Sequence, residues 1–112
     1  LKLRSLAVRA AAELGIGLRE GVYVSLAGQN FETPADLRFL QAIGADAVGM
    51  STVPEAIVAR HGGTRVLGFS GISNKANLDG TTPTNHEEVL LAGRVIVPKL
   101  LALIQGVLRA MR

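Results

Sequence analysis

The chain contains no cysteine and no tryptophan, one tyrosine and three phenylalanines. Without cysteine there is neither a disulfide framework nor a thiolate metal site. With two histidines, His61 and His86, the material for an imidazole site is also thin, and no metal is expected. Aromatics make up 4% of the residues, so the stacking platforms that hold single-stranded nucleic acid are missing. The basic surplus is small, 12 Lys+Arg against 9 Asp+Glu. It is also dispersed: Lys2, Arg4, Arg9 and Arg19 lie towards one end, and Arg94, Lys99, Arg109 and Arg112 towards the other. A nucleic-acid partner is therefore not expected. Long apolar runs are lacking too. The stretch Val95 to Val107 holds Pro98, Lys99, Gln105 and Gly106, and reads as too short and too interrupted to span a bilayer. The basic N-terminal stretch reads as an amphipathic helix without a cleavage site rather than a signal peptide. These absences predict a cytoplasmic location and no membrane partner.

What the chain has is apolar material. Hydrophobic residues account for 48% of 112, and the mean hydropathy is +0.33. A length of this order makes one small domain at most, with more apolar surface than it can hide alone. More chain, other subunits, or both are expected to cover the remainder.

The periodicity organises that material. Leu3, Leu6, Ala7, Ala10 and Leu14 recur at helical spacing over residues 2–14, before Gly15 and Gly17. Residues 22–26 read as a strand. Thr33-Pro34-Ala35-Asp36 is a helix start, with threonine as cap, proline at the first helical position and an acid three residues on. That helix runs to Ile43 and stops at Gly44. Residues 45–50 read as a short buried strand, and Thr52-Val53-Pro54-Glu55 as a second capping-box start, its helix ending near His61. Residues 65–69 predict a third strand, followed by a polar loop over 70–83. A last helix opens at Thr84-Asn85-His86-Glu87 and buries Val89, Ile96, Leu100, Ile104 and Val107 or Leu108, with Pro98 kinking or dividing it. One helix followed by three strand-helix units, the strands apolar throughout rather than alternating, is the pattern of an α/β sheet covered on both faces.

In such sheets ligands sit beyond the carboxyl ends of the strands, and here each end is polar. Phe31-Glu32 follows the first strand. An aromatic face can stack on a base and a carboxylate can accept two N–H groups from its edge; equally, a packed phenylalanine beside a solvated glutamate assisting the helix start would read the same way. Met50-Ser51-Thr52 follows the second strand and leads into a helix. Its hydroxyls and free N–H groups suit an anion such as phosphate, although simple capping explains much of the pattern. After the third comes Ser70 to Lys75, where Asn74 can both donate to and accept from a heterocycle or serve as a turn residue. Lys75 reads as a solvated side chain. His86 suits a hydroxyl contact or plain exposure, and His61 a helix C-terminus. Gly15-Ile16-Gly17 lacks both a third glycine and a preceding strand, so a dinucleotide fingerprint is rejected.

Gly21-Val22-Tyr23-Val24, the run Ala27 to Thr33, and the run Gly44 to Glu55 together resemble the trimeric purine nucleoside phosphorylase family. So do Ile57-Val58-Ala59-Arg60-His61, Gly68-Phe69-Ser70, Asn74-Lys75 and the run Asn85 to Leu90. The resemblance covers nearly the whole chain and implies the C-terminal portion of a larger single domain over residues 1–112, a phosphorylase/hydrolase-like mixed sheet flanked by helices. It implies phosphorolysis: phosphate displaces the purine of inosine, guanosine or a deoxy counterpart, giving free base and pentose 1-phosphate for purine salvage. By matching position, Phe31 packs against the purine, Glu32 accepts from its N1–H side and Asn74 faces its O6/N7 edge. Tyr23, Val48 and Gly49 line the base pocket, Met50 lies under the sugar, Ser51 contacts phosphate and His86 holds the ribose 5′-hydroxyl. The resemblance implies a homotrimer, no metal or organic cofactor, and inorganic phosphate as co-substrate.

Family members are far longer, and their N-terminal portion supplies most of the phosphate site, so residues 1–112 alone are expected to be inactive. The loop over 76–83, which leads to His86, departs from the animal pattern. Two alternatives remain. One is a methylthioadenosine phosphorylase, in which an aspartate is expected where this chain has Asn74; the other is a non-catalytic α/β piece.

Overall fold

The structure, a computed structural model, describes residues 2–112. The first helix, α1, spans Lys2–Glu13. Strand β1 (Tyr23–Ser25) leads into α2 (Pro34–Ala42), and β2 (Ala47–Gly49) into α3 (Val53–His61). A single long helix, α4 (His86–Ala110), closes the chain.

Local chemistry explains the boundaries. At the start of α2 the capping box forms in full: Asp36 N–H donates to the Thr33 hydroxyl oxygen at 3.2 Å, and Thr33 N–H to the Asp36 carboxylate at 2.9 Å. At its end Gly44, at φ 93°, takes the left-handed conformation that a side chain resists. Ala45 N–H then reaches back to Leu40 O at 3.0 Å and Gly44 N–H to Gln41 O at 3.0 Å, which satisfies two orphan carbonyls of the last turn. The same two-bond closure ends α1 on Ala11 and Ala12, and α3 on Ala59 and Arg60.

Strands β1 and β2 pair in parallel, with Tyr23 opposite Ala47, Val24 opposite Val48 and Ser25 opposite Gly49. Asp46 sets this register. Val22 N–H donates to its carboxylate at 2.8 Å, while Asp46 N–H donates to Val22 O at 2.9 Å. The approach is close enough that a Cβ on Gly21 would lie 2.9 Å from Asp46 Cβ.

The third expected strand does not form. Residues 65–69 carry no ladder, and among the described residues only β1 and β2 pair. Leu67 and Phe69 instead pack on the main core, where Leu6, Ala7, Ala10 and Ala11 of α1 meet Leu103 and Val107 of α4. Small residues bring the two helices close: a Cβ on Gly106 would stand 3.2 Å from Ala10 Cβ.

Pro98 lies inside α4 without dividing it. Of the residues expected to be buried there, Val107 is, and Val89, Ile96 and Leu100 are half-buried. Ile104 and Leu108 are 38% and 57% exposed; the residues of α4 packed against α1 are Leu103 and Val107. The helix continues on both sides of the Val95–Val107 stretch, and at 25 residues, with a mean hydropathy of 1.7 over its most apolar window, it is long and apolar enough to cross a membrane. Length was therefore underestimated from the sequence; Leu103 and Val107 nonetheless pack into the core.

The accessible surface is 8622 Å², where a compact monomer of 11.7 kDa would expose about 5,900 Å². The radius of gyration of 15.4 Å likewise exceeds the roughly 13 Å of a compact domain this long. Phe39, Ile43, Ile57, Val58, Leu91, Val95 and Leu101 all remain exposed. The surplus of apolar material read from the composition thus takes physical form as uncovered helix faces.

Candidate active site

A cleft of about 480 Å³ opens at the carboxyl ends of β1 and β2. Three chain segments line it. Phe31 and Glu32 come from the turn after β1, Val48, Gly49 and Met50 from the end of β2, and Ser70 to Asn74 from the extended segment that follows α3. Leu37 and Leu40, the buried face of α2, form its floor with Ala45 and Ala47. Six of the nine residues singled out from the sequence, Phe31, Glu32, Val48, Gly49, Met50 and Asn74, therefore meet in one concavity.

Tyr23, Ser51 and His86 do not line the cleft. Tyr23 runs along the sheet with its hydroxyl against Gly49, where a Cβ would have no room, and there it accepts from Ser51 N–H at 3.5 Å. It supports the turn after β2 rather than forming a wall. Ser51 lies just past the cleft, its hydroxyl 3.3 Å from that of Thr52. His86 is the exposed first residue of α4, capped by Asn85, whose side chain accepts from Glu88 N–H at 2.9 Å.

The turn from β2 into α3 departs from expectation. Thr52 makes no capping hydrogen bond, and its backbone sits at φ 75°, ψ −46°. Val53 N–H closes a three-residue turn onto Ser51 O at 2.8 Å. This strained γ-turn is costly for any residue with a Cβ. The capping box read into Thr52 and Glu55 is thus absent, because the γ-turn carries the Thr52 hydroxyl away from the N–H groups it would cap.

Phe31 is 52% exposed and Glu32 half-buried. Glu32 takes no part in the hydrogen bonds that start α2, which Thr33 and Asp36 satisfy between themselves. Those two N–H and O–H donations from Thr33 hold the Asp36 carboxyl below the usual carboxylate range. Asn74 is fully engaged: Ser73 Oγ donates to its Oδ1 at 2.7 Å, and its Nδ2 donates to Thr84 Oγ1 at 2.9 Å and to Lys75 O at 3.1 Å.

Sequence reasoning missed Thr84 and Arg38 as partners in the site. Arg38 on α2 donates to Leu78 O at 2.7 Å, tying down the loop over 76–83, of which Asn77 and Leu78 line the cleft. Partners ten or forty residues apart leave no local signal. Thr84 did attract notice, but as part of a helix start.

A cleft at the carboxyl ends of a parallel strand pair lies where open α/β sheets bind their ligands. A sequence model of the phosphorylase superfamily matches residues 1–109, and the chain belongs to that family. It is 46% identical over 110 residues to purine nucleoside phosphorylase 1 of Geobacillus stearothermophilus, covering 98% of this chain and 40% of the relative. To the purine nucleoside phosphorylase of Bos taurus it is 60% identical over 85 residues, covering 74% of this chain and 29% of the relative. Among solved structures, the Schistosoma mansoni purine nucleoside phosphorylase in complex with inosine superposes with a TM-score of 0.91 at 40% identity, over 96% of this chain and 39% of that one. The chain thus spans about 40% of the length of the relatives it matches over most of its own.

Proposed function

We propose that the whole protein is a purine nucleoside phosphorylase that cleaves inosine and guanosine with inorganic phosphate, as a cytoplasmic homotrimer without metal or organic cofactor. The observation that carries this reading is the convergence of Phe31, Glu32, Val48, Gly49, Met50 and Asn74 around one cleft. Inosine and guanosine complexes of the Schistosoma enzymes add support, since those proteins superpose on this chain with TM-scores of 0.91 and 0.92.

In this reading the purine lies against Phe31, with Glu32 accepting from N1–H and Asn74 at the O6/N7 edge. Phosphate oxygen attacks C1′ from the opposite face. The C1′–N9 bond breaks and its electron pair moves onto the purine, leaving an oxocarbenium-like sugar over Met50. A donor at O6 stabilises the charge that develops on the base, an interaction made chiefly in the transition state. The Ser51 hydroxyl lies at the phosphate end, at the entry to α3, with Tyr23 bracing that turn. His86 would reach the 5′-hydroxyl only from outside the cleft.

The test is phosphate-dependent release of hypoxanthine from inosine by the whole protein. The 112-residue chain alone is expected to show none, and with so much apolar surface exposed it is expected to self-associate. Inosine left intact by the whole protein in the presence of phosphate would overturn the proposal. Asn74→Asp should weaken inosine turnover and raise adenosine turnover, because a carboxylate can only accept from the 6-amino group.

A further inference from the structure

The segment that carries Asn74 is placed by its side chains. Among the described residues, no backbone–backbone hydrogen bond involves residues 65–75. Leu67 and Phe69 pack on the core formed by α1 and α4, and Gly71, two residues further on, lies against α4 at Ile96. Glycine is not needed there for its backbone, since the positive-φ glycines are Gly15, Gly44, Gly63 and Gly80. It is needed for space. A Cβ at position 71 would run into Ile96 Cγ2, with Ile96 Cβ and Cδ1 each 3.6 Å away. That methyl has nowhere to swing, because a β-branched side chain on a helix keeps essentially one χ1 rotamer. Ile96 is half-buried and stands outside the cleft, whereas Gly71 and the three residues after it line the cleft.

We infer that Ile96 is a positioning residue for the base-reading segment: through its contact with Gly71 it sets where Asn74 stands relative to Phe31 and Glu32 across the cleft. The inference rests on the proposed purine phosphorolysis and adds to it a control on cleft geometry from a side chain outside the cleft. Asn74 is bonded to Ser73 and Lys75 within its own segment and to Thr84 beyond it, so a displaced segment carries the amide with it. Only glycine lets the chain come down onto the Ile96 methyl. With a Cβ at position 71, ordinary carbon contact at about 3.5–4.0 Å is recovered by lifting the segment off α4 by about 1 Å. The added methyl itself points at Ile96, so it bars no substrate and acts only through the position of the segment.

The experiment is a double-substitution cycle in the whole protein, read as kcat/KM for inosine and as the KM for phosphate. Gly71→Ala should lower kcat/KM for inosine by on the order of 10²-fold, the scale of a misplacement by about 1 Å, and leave the KM for phosphate unchanged. Adding Ile96→Ala removes Cγ2, seats the new methyl and should restore most of the loss. Adding Ile96→Val instead keeps both branches at Cβ in place and should restore nothing. A contact that only packs the core would lower the melting temperature and leave the kinetics of the folded enzyme normal, and that outcome overturns the inference. So does a Gly71→Ala, Ile96→Ala pair that stays as slow as Gly71→Ala alone. Should Gly71→Ala fail to fold, Ile96→Ala by itself carries the test: the unseated segment should cost inosine turnover several-fold at unchanged KM for phosphate, and unaltered turnover overturns the inference. A wild type that leaves inosine intact removes the purine reading and the inference together, whereas an active wild type indifferent to these substitutions removes the inference alone.

Discussion

Thr33-Pro34-Ala35-Asp36 opens α2 and Thr52-Val53-Pro54-Glu55 opens α3, each after a parallel strand and each with a threonine where a cap belongs. At the first, side chain and backbone satisfy one another and Asp36 is locked to Thr33. At the second, the threonine is bent into a γ-turn at positive φ and caps nothing. Such a conformation costs on the order of 1–3 kcal/mol. It is sustained by β2, whose Gly49 carbonyl is held by Leu26 N–H at 2.9 Å, and by the Tyr23 hydroxyl bonded to Ser51 N–H. The first turn spends its polar groups on making a helix. The second aims two hydroxyls and a helix N-terminus outwards past the end of β2, beside the cleft. Strain held by the surrounding structure where a ligand is proposed is what a binding turn would look like, and a capped turn is not.

The largest effect expected from this contrast concerns Glu32. Because α2 is capped without it, Glu32→Ala should leave the melting temperature of the whole protein unchanged. Loss of charged hydrogen bonds to the base, at about 1.5–3 kcal/mol each, should lower kcat/KM for inosine by at least about tenfold. Normal turnover with a lowered melting temperature would make Glu32 part of the first turn's architecture after all. Next in size is Ser51→Ala. The KM for phosphate should rise several-fold and that for inosine much less; an unchanged phosphate dependence would strip the second turn of its proposed ligand. The two threonines should then respond with opposite signs in urea unfolding. Thr33→Ala removes a working cap and should cost about 1 kcal/mol, whereas Thr52→Gly relieves a positive φ and should gain about 1 kcal/mol. Destabilisation by both would mean that Thr52 makes a contact worth more than its strain.

The same contrast marks where the sequence was legible. Every helix was visible, and α1, α2 and α3 end at glycines where spacing put them, because a helix boundary is decided by residues within four positions of each other. The strands β1 and β2 were visible for the same local reason. What failed depends on residues far apart. Residues 65–69 have a strand's composition but no neighbour to pair with, and composition does not report a neighbour. Ile104 and Leu108 have core chemistry but face away from α1. Thr52 has a cap's identity, and only its attachment to β2 tells it from Thr33. In the cleft, Phe31, Glu32 and Val48 to Met50 were read from strand ends and from family resemblance, while Thr84 as partner of Asn74 emerges only once the nine intervening residues have been folded.

The smallest expected effect is a pH dependence of stability at the first turn. Asp36 accepts from the Thr33 hydroxyl at 2.7 Å and from Thr33 N–H at 2.9 Å, and these bonds hold its carboxyl below the usual range. A carboxyl depressed by folding binds its proton more weakly in the native state than in the unfolded one. Its contribution to stability is therefore complete above the unfolded value, about 3.9, and is lost as pH falls through the lower folded value. Asp79 is lowered in the same direction, by the backbone N–H and hydroxyl of Thr81, so acid weakens the wild type at two places and the Asp36 share has to be isolated by difference. Thermal melts of wild type and Asp36→Ala from pH 6 down to about pH 2 should show a gap that is constant above about pH 5 and closes below about pH 4. A gap for Asp36 that persists undiminished into acid would mean that the charge is not what fastens the first turn, and the distinction between the two turns would then rest on backbone geometry alone.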